Sequence, residues 1–214
     1  MPTATIPVHH MIGNKLPTVH LPIVAPGKRV AVFAGSSATC PAHYRDEARR
    51  FGAMLASNGC ALVYGSGSWG LMGEVALGAA DAPIVGVVPE FMLATAGELH
   101  GQTIVVPNMA ERKYVINELA EVFVGLPGGF GTLDEMSEML TWNQIGVNNK
   151  LIVFVNIAGY YDQLGAWVER ALSDGFIRRE QMQNYVIVDT PEAAIQVILT
   201  REPQIVPGKF RTKA

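Results

Sequence analysis

The segment Val122-Phe123-Val124-Gly125-Leu126-Pro127-Gly128-Gly129-Phe130-Gly131-Thr132-Leu133-Asp134-Glu135 decides how this chain folds. Residues 122–126 read as a short buried strand, the glycines as a turn, and residues 133–144 as a helix. A strand that runs through glycines into a helix is how α/β proteins build phosphate sites. Backbone N–H groups can approach the ligand there, and the helix N-terminus adds partial positive charge. Gly128, Gly129, Gly131 and Thr132 are the candidates for that cradle. Glu135 stands apart, because a simple phosphate cradle has little use for an anion so close. Two readings of it stay open. Thr132 as N-cap with Glu135 three residues later is a capping box; alternatively the carboxylate carries out chemistry.

Outward from this segment, strand and helix signals alternate. Apolar runs at 29–34, 60–64, 84–88, 103–106, 151–156 and 185–188 read as strands. Helical spacing marks 41–57, 71–80, 109–120, 160–173 and 191–199, with Gly59 and Gly175 as helix stops. The strands are continuous Val/Ile/Leu/Phe runs, not alternating ones. Such runs are buried on both faces, which predicts an α/β fold with a mostly parallel sheet flanked by helices. The expectation is one doubly wound, Rossmann-like domain over residues 29–200. A Pro-rich N-terminal arm, 1–28, with five prolines, precedes it, and a short basic tail, 201–214, follows.

Composition narrows the function classes. The 214 residues suffice for one substantial domain, and 49% hydrophobic against 16% charged residues describes a well-buried globular protein. A net charge of −3 argues against non-specific nucleic-acid binding, which needs clustered positive charge. No run approaches the roughly 18 apolar residues of a membrane span. Cys40 and Cys60 lack metal-ligand spacing and fit a reducing cytoplasm. The adjacent His9 and His10 sit on the Pro-rich arm and read as solvent-exposed, so no metal site is expected.

Three glycine- or serine-rich turns follow strands: Gly35-Ser36-Ser37, Gly65-Ser66-Gly67-Ser68-Trp69-Gly70, and the turn ending at Thr132. Ligands of open parallel sheets bind outside the carboxyl ends of the strands, so convergence of these turns would make one nucleotide pocket. Gly65, Gly67 and Gly70 also match a dinucleotide fingerprint, with Glu90 about 20 residues on as a ribose-binding acid, although the match follows the second strand and not the first. Glu111-Arg112-Lys113 opens a helix. Cations there oppose the helix dipole and make better sense facing a phosphate or a carboxylate. Met139 and Trp142 share the helix face of Glu135 and read as core or subunit-interface residues.

Taken together, Gly65 to Gly73, Glu111-Arg112-Lys113 and Pro127 to Glu135 resemble the Lonely Guy family. These are cytokinin-activating nucleoside 5′-monophosphate phosphoribohydrolases, long misnamed lysine decarboxylases. The resemblance runs from about Val30 to Ile177 and takes in residues 32–37 and Gly159-Tyr160-Tyr161-Asp162. It implies a Rossmann-like homodimer that hydrolyses the N-glycosidic bond of an adenine nucleotide monophosphate without a metal or other cofactor. By motif match, Arg112 and Glu135 are the catalytic pair, and Gly128, Gly129, Gly131 and Thr132 hold the phosphate. Gly35, Ser36, Ser37, Gly65, Gly67, Gly70, Met109 and Lys113 complete the expected substrate site. Ser66 departs from the family pattern, which carries a third glycine there, and the stretch between Gly73 and Glu111 is shorter than usual. The competing functions are a non-catalytic nucleotide sensor on the same scaffold, an NAD(P) oxidoreductase, and a decarboxylase using Lys113 or Lys150.

Overall fold

The computed structural model describes residues 3–6, 19–22 and 27–206. Strands β1 (Thr3–Ile6) and β2 (Val19–Pro22) pair antiparallel, so this part of the segment expected to be an extended arm is a two-stranded ladder. His9, His10 and the tail cations Lys209, Arg211 and Lys213 lie outside the described residues.

The main sheet is built from β3 (Arg29–Phe33), β4 (Ala61–Tyr64), β5 (Ile84–Pro89), β6 (Gln102–Val106), β7 (Val122–Gly125), β8 (Leu151–Val155) and β9 (Tyr185–Val188). Its order is β6-β5-β4-β3-β7-β8-β9, and every neighbouring pair is parallel. The helices are α1 (Ala42–Ser57), α2 (Gly70–Gly78), α3 (Met109–Leu119), α4 (Phe130–Ile145), α5 (Asp162–Ser173) and α6 (Pro191–Thr200).

Successive strand residues serve opposite cores, which is why the strands read as continuous apolar runs. Val30, Val32, Val122 and Val124 pack with Phe51 and Leu55 of α1, Val75 of α2 and Ile195 of α6. Ala31, Phe33 and Phe123 pack on the other side with Val115 and Ile116 of α3 and Met136 and Met139 of α4. Met139 is therefore core, and Trp142 packs part-buried against the same cluster. Phe51, Phe123 and Phe154 are fully buried, each contributing about 1.5–3 kcal/mol of apolar burial.

β3 is the pivot of the topology. From it the chain crosses to β4, β5 and β6 on one side, then returns to place β7 on the other. The loops leaving β3 and β7 thus diverge at a switch point, where an open α/β sheet leaves a crevice. Gly35 N–H donates to Pro127 O at 3.0 Å and ties the two loops together at the base of that crevice.

One boundary changes the reading of the site. The helix after β7 begins at Phe130, with Gly129 as N-cap, not at Leu133 with Thr132 as N-cap. The capping-box reading is thereby overturned. Thr132 lies inside the first turn, and Glu135 lies beyond it, where no unpaired helix amide is within reach. The sequence also gave no warning of the 3-10 turn Glu90–Thr95 in the crossover from β5 to β6.

Candidate active site

A cleft of about 480 Å3 opens over the carboxyl ends of the central strands, within the range that holds small-molecule ligands. All three glycine turns line it. Gly35, Ser36 and Ser37 come from the loop after β3, and Gly65, Ser66 and Gly67 from the loop after β4. Gly129, Phe130, Gly131 and Thr132 come from the start of α4, joined by Met109, Arg112 and Glu135.

The start of α4 has unpaired amides. Gly129 offers no capping side chain, and the first helical bond is Leu133 N–H to Gly129 O at 3.0 Å. Among the described residues nothing accepts from the N–H groups of Gly129, Phe130, Gly131 or Thr132. Four amides without an acceptor at the positive end of a four-turn helix are a donor set of the kind that can take an anion.

Beside it sits a buried ion pair. Arg112 Nη1 lies 3.2 Å from Glu135 Oε1, and both residues are less than a tenth exposed. Arg112 is fixed on its other edges, with Nε donating to Val87 O and Nη2 to Gly65 O, each at 3.1 Å. The guanidinium is therefore an anchor for Glu135 and is not free to grip a phosphate. Burial pushes the Glu135 carboxyl up to about 7, with Asp134 and Glu138 adding to the rise, while Arg112 and Lys113 hold it down. A carboxyl poised near neutrality can take and return a proton at physiological pH.

The loop after β4 serves the protein's own packing. A Cβ on Gly65 would overlap the Arg112 guanidinium, so this glycine exists to admit the arginine. Gly70 (φ +58°) adopts the left-handed region and lies outside the cleft, packed against the backbone of residues 35–37. The first amides of α2, Leu71 N–H and Met72 N–H, both donate to Gly35 O, at 2.8 and 3.3 Å. Those two amides are thereby spent on the loop after β3 and are not available to a pyrophosphate, and Glu90, the expected ribose acid, is exposed on the 3-10 turn and does not line the cleft. Ser66 (φ +56°) keeps, with a side chain, the left-handed turn that a glycine would adopt freely.

Two more expected substrate residues, besides Gly70, are placed elsewhere. Lys113 points along α4, 3.1 Å from Asp134 and 3.2 Å from Glu138, and does not line the cleft. The two cations of α3 thus face carboxylates of α4. Gly128 sits behind the cleft wall, wedged between Thr132 and Gly35. Lys150 precedes β8 at the opposite end of the strands and donates to Asn117 O. No lysine lines the cleft among the described residues, so neither candidate for Schiff-base chemistry is in position. Sequence reasoning missed the apolar wall formed by Met72, Val88, Met92 and Ala96, because it depends on the 3-10 turn being folded over the cleft.

Comparison with known proteins agrees with this geometry. The family model described as "Possible lysine decarboxylase" matches residues 71–198. A probable cytokinin riboside 5′-monophosphate phosphoribohydrolase of Oryza sativa subsp. japonica is 39% identical over 169 residues, covering 77% of this chain and 75% of that protein. A cytokinin riboside 5′-monophosphate phosphoribohydrolase of Arabidopsis thaliana is 36% identical over 170 residues, covering 78% and 79%. In fold, the chain is similar to the molybdenum cofactor carrier protein of Chlamydomonas reinhardtii, with TM-score 0.60, 19% identity, and coverage of 80% of this chain and 96% of that one. The molybdenum cofactor binding protein of Rippkaea orientalis gives TM-score 0.60 at 20% identity, covering 81% and 97%. At those identities the likeness is one of architecture alone. The sequence relatives and the matched model carry the assignment: this chain belongs to the Lonely Guy family of cytokinin riboside 5′-monophosphate phosphoribohydrolases, the family once described as lysine decarboxylases.

Proposed function

We propose that the cleft hydrolyses the N-glycosidic bond of a purine nucleoside 5′-monophosphate, AMP or an N6-substituted cytokinin riboside monophosphate, to free base and ribose 5-phosphate. The observation that carries this reading is the buried Arg112–Glu135 pair set beside four open amides at the start of α4. The phosphate docks on Gly129, Phe130, Gly131 and Thr132, remote from the bond that breaks. Its binding energy positions the sugar. As the C1′–N bond lengthens, positive charge builds on the ribose, and ionised Glu135 stabilises it. Water adds to C1′, and Glu135 takes its proton. The base leaves with the bonding electron pair and gains a proton in turn. The methionines of the apolar wall offer the purine and its N6 substituent a non-polar surface. Residues 29–200 form the catalytic unit in this reading.

Incubating the protein with AMP and with N6-isopentenyladenosine monophosphate, following free base by chromatography, tests the proposal. Base should be released by the wild type and not by Glu135→Gln, which should still bind nucleotide. Binding without release by the wild type would instead establish a sensor.

The functional unit is a homodimer in this reading. Phe130 (93% exposed), Leu133, Trp167 and Phe176 give α4, α5 and the turn after α5 an exposed apolar surface suited to a second copy. Light scattering on the eluting protein measures that mass. Cys40 and Cys60 are both free, in keeping with a cytoplasmic setting. No helix among the described residues is long and apolar enough to cross a membrane.

A further inference from the structure

The turn after β8 carries two adjacent tyrosines whose hydroxyl groups both reach the glycine loop after β7. Tyr160 Oη donates to Gly128 O at 2.6 Å, and Tyr161 Oη donates to Leu126 O at 2.6 Å. Between these two carbonyls, Pro127 O accepts from Gly35 N–H at 3.0 Å. Three consecutive carbonyls of the loop are therefore each held by a separate donor. A trans peptide is planar, with its C=O and N–H antiparallel. Pinning Gly128 O on the Tyr160 side therefore turns Gly129 N–H to the other side, and Gly129 is the first residue of the open amide set.

The turn that presents the tyrosines is itself fixed. Asn156, at the end of β8, accepts from Tyr161 N–H at 2.6 Å and donates to Asp162 at 2.9 Å and to Asp189 at 3.2 Å. Ala158 and Gly159 both adopt left-handed backbone (φ +53° and +75°), which reverses the chain immediately before the pair. The rings are held edge to face, Tyr160 on Tyr44 and on Tyr161, and Tyr161 on Phe154. Tyr161 is buried, and burial pushes its phenol pKa well up, so it remains a donor at any physiological pH. Packing alone would be served as well by phenylalanine. Two hydroxyls aimed at two carbonyls of one loop need another reason.

We propose that Tyr160 and Tyr161 are positioning residues that pre-orient the amides at the start of α4 for the 5′-phosphate of the substrate. Neither touches the reacting atoms. Their effect is to remove the cost of ordering the loop when the phosphate arrives. The inference rests on the phosphate-docking reading above and adds to it the part of the fold that sets the donor geometry.

The test is calorimetric titration of AMP and of adenosine, which lacks the phosphate, into protein carrying Glu135→Gln to prevent turnover, with both tyrosines intact (the wild-type arm) or with Tyr160→Phe or Tyr161→Phe added, each first shown by thermal melting to be folded. Wild type should prefer AMP. Each variant should lose about 3- to 10-fold of AMP affinity, the worth of one hydrogen bond, and leave adenosine affinity unchanged. If wild type binds the two equally, the phosphate-docking reading fails. If wild type prefers AMP and both variants keep the full preference, or lose AMP and adenosine affinity in equal measure, the tyrosines are structural only and the proposal is overturned. Tyr160 is part-exposed, so Tyr160→Phe keeps the test open even should the buried Tyr161→Phe unfold.

Discussion

Replacing Glu135 by glutamine should make the fold more stable in alkaline solution while abolishing catalysis, and the size of the effect follows from the burial of one carboxyl. Glutamine keeps the shape and one carbonyl oxygen to accept from Arg112, which retains Val87 O and Gly65 O as well. What is lost is the ionisation. In the folded protein the Glu135 carboxyl is pushed from the ordinary 4.5 up to about 7, first by burial and against the pull of Arg112. Between those values the folded state holds a proton that the unfolded chain has released. The stability conferred by the protonated carboxyl is therefore complete below pH 4.5 and is lost as pH rises through 7. At 1.36 kcal/mol per pH unit, the gap corresponds to about 3 kcal/mol. Glutamine has no such loss. Denaturant melts of both proteins from pH 4.5 to pH 8.5 should show the variant gaining on wild type by up to about 3 kcal/mol, or roughly 6–12 °C in Tm for a chain of this size. Taking the difference between the two proteins cancels every other titrating group. A difference that stays flat with pH would show that Glu135 ionises as an ordinary exposed glutamate, and the acid–base role assigned to it would go with that result.

Further outcomes follow from the same site. For wild type, kcat/KM with AMP should fall on the acid side with a midpoint near 7, as Glu135 takes up its proton; a profile level from pH 5 to 8 would refute the need for its ionised form. Lys113→Met removes the cation between Asp134 and Glu138, so that acid limb should move to higher pH, and Lys113→Arg should restore it. Gly65→Ala drives a methyl into the Arg112 guanidinium, and should cost about 1–3 kcal/mol by denaturant melting together with most of the activity. Ala158→Gly relieves a left-handed alanine on the exposed turn before Tyr160, and should raise stability by about 0.5–1 kcal/mol in the same assay.

The sheet was legible because its signal is redundant. Apart from Arg29 at the start of β3, each central strand is non-polar throughout, and strands paired on both sides and covered on both faces leave that pattern no other reading. The apolar wall was not legible, since Met72, Met92 and Ala96 meet only through a 3-10 turn that no periodicity marks. Lys113 was misplaced for a different reason. Adjacent residues on a helix point about 100° apart, so Arg112 and Lys113 cannot serve one small site, and only the helix phase decides which enters.

The misread start of α4 carries the deeper point. Capping rules favour Thr132, because a threonine oxygen satisfies an otherwise unpaired helix amide. The chain instead starts the helix at Phe130 behind a bare glycine, with Phe130 almost wholly exposed. That start forgoes about a few tenths of a kcal/mol of capping and exposes a large apolar ring. It makes poor sense for stability. Under the proposed phosphate docking it is the arrangement required, since any residue able to cap these amides would occupy the position of the phosphate. The amides must stay unpaired and yet be held in one direction. The first condition is met by leaving out a capping side chain and the second by the donors on Leu126, Pro127 and Gly128. On that proposal a rule derived from stable helices fails here because the ligand completes the helix, and such failures are themselves a way of locating a site.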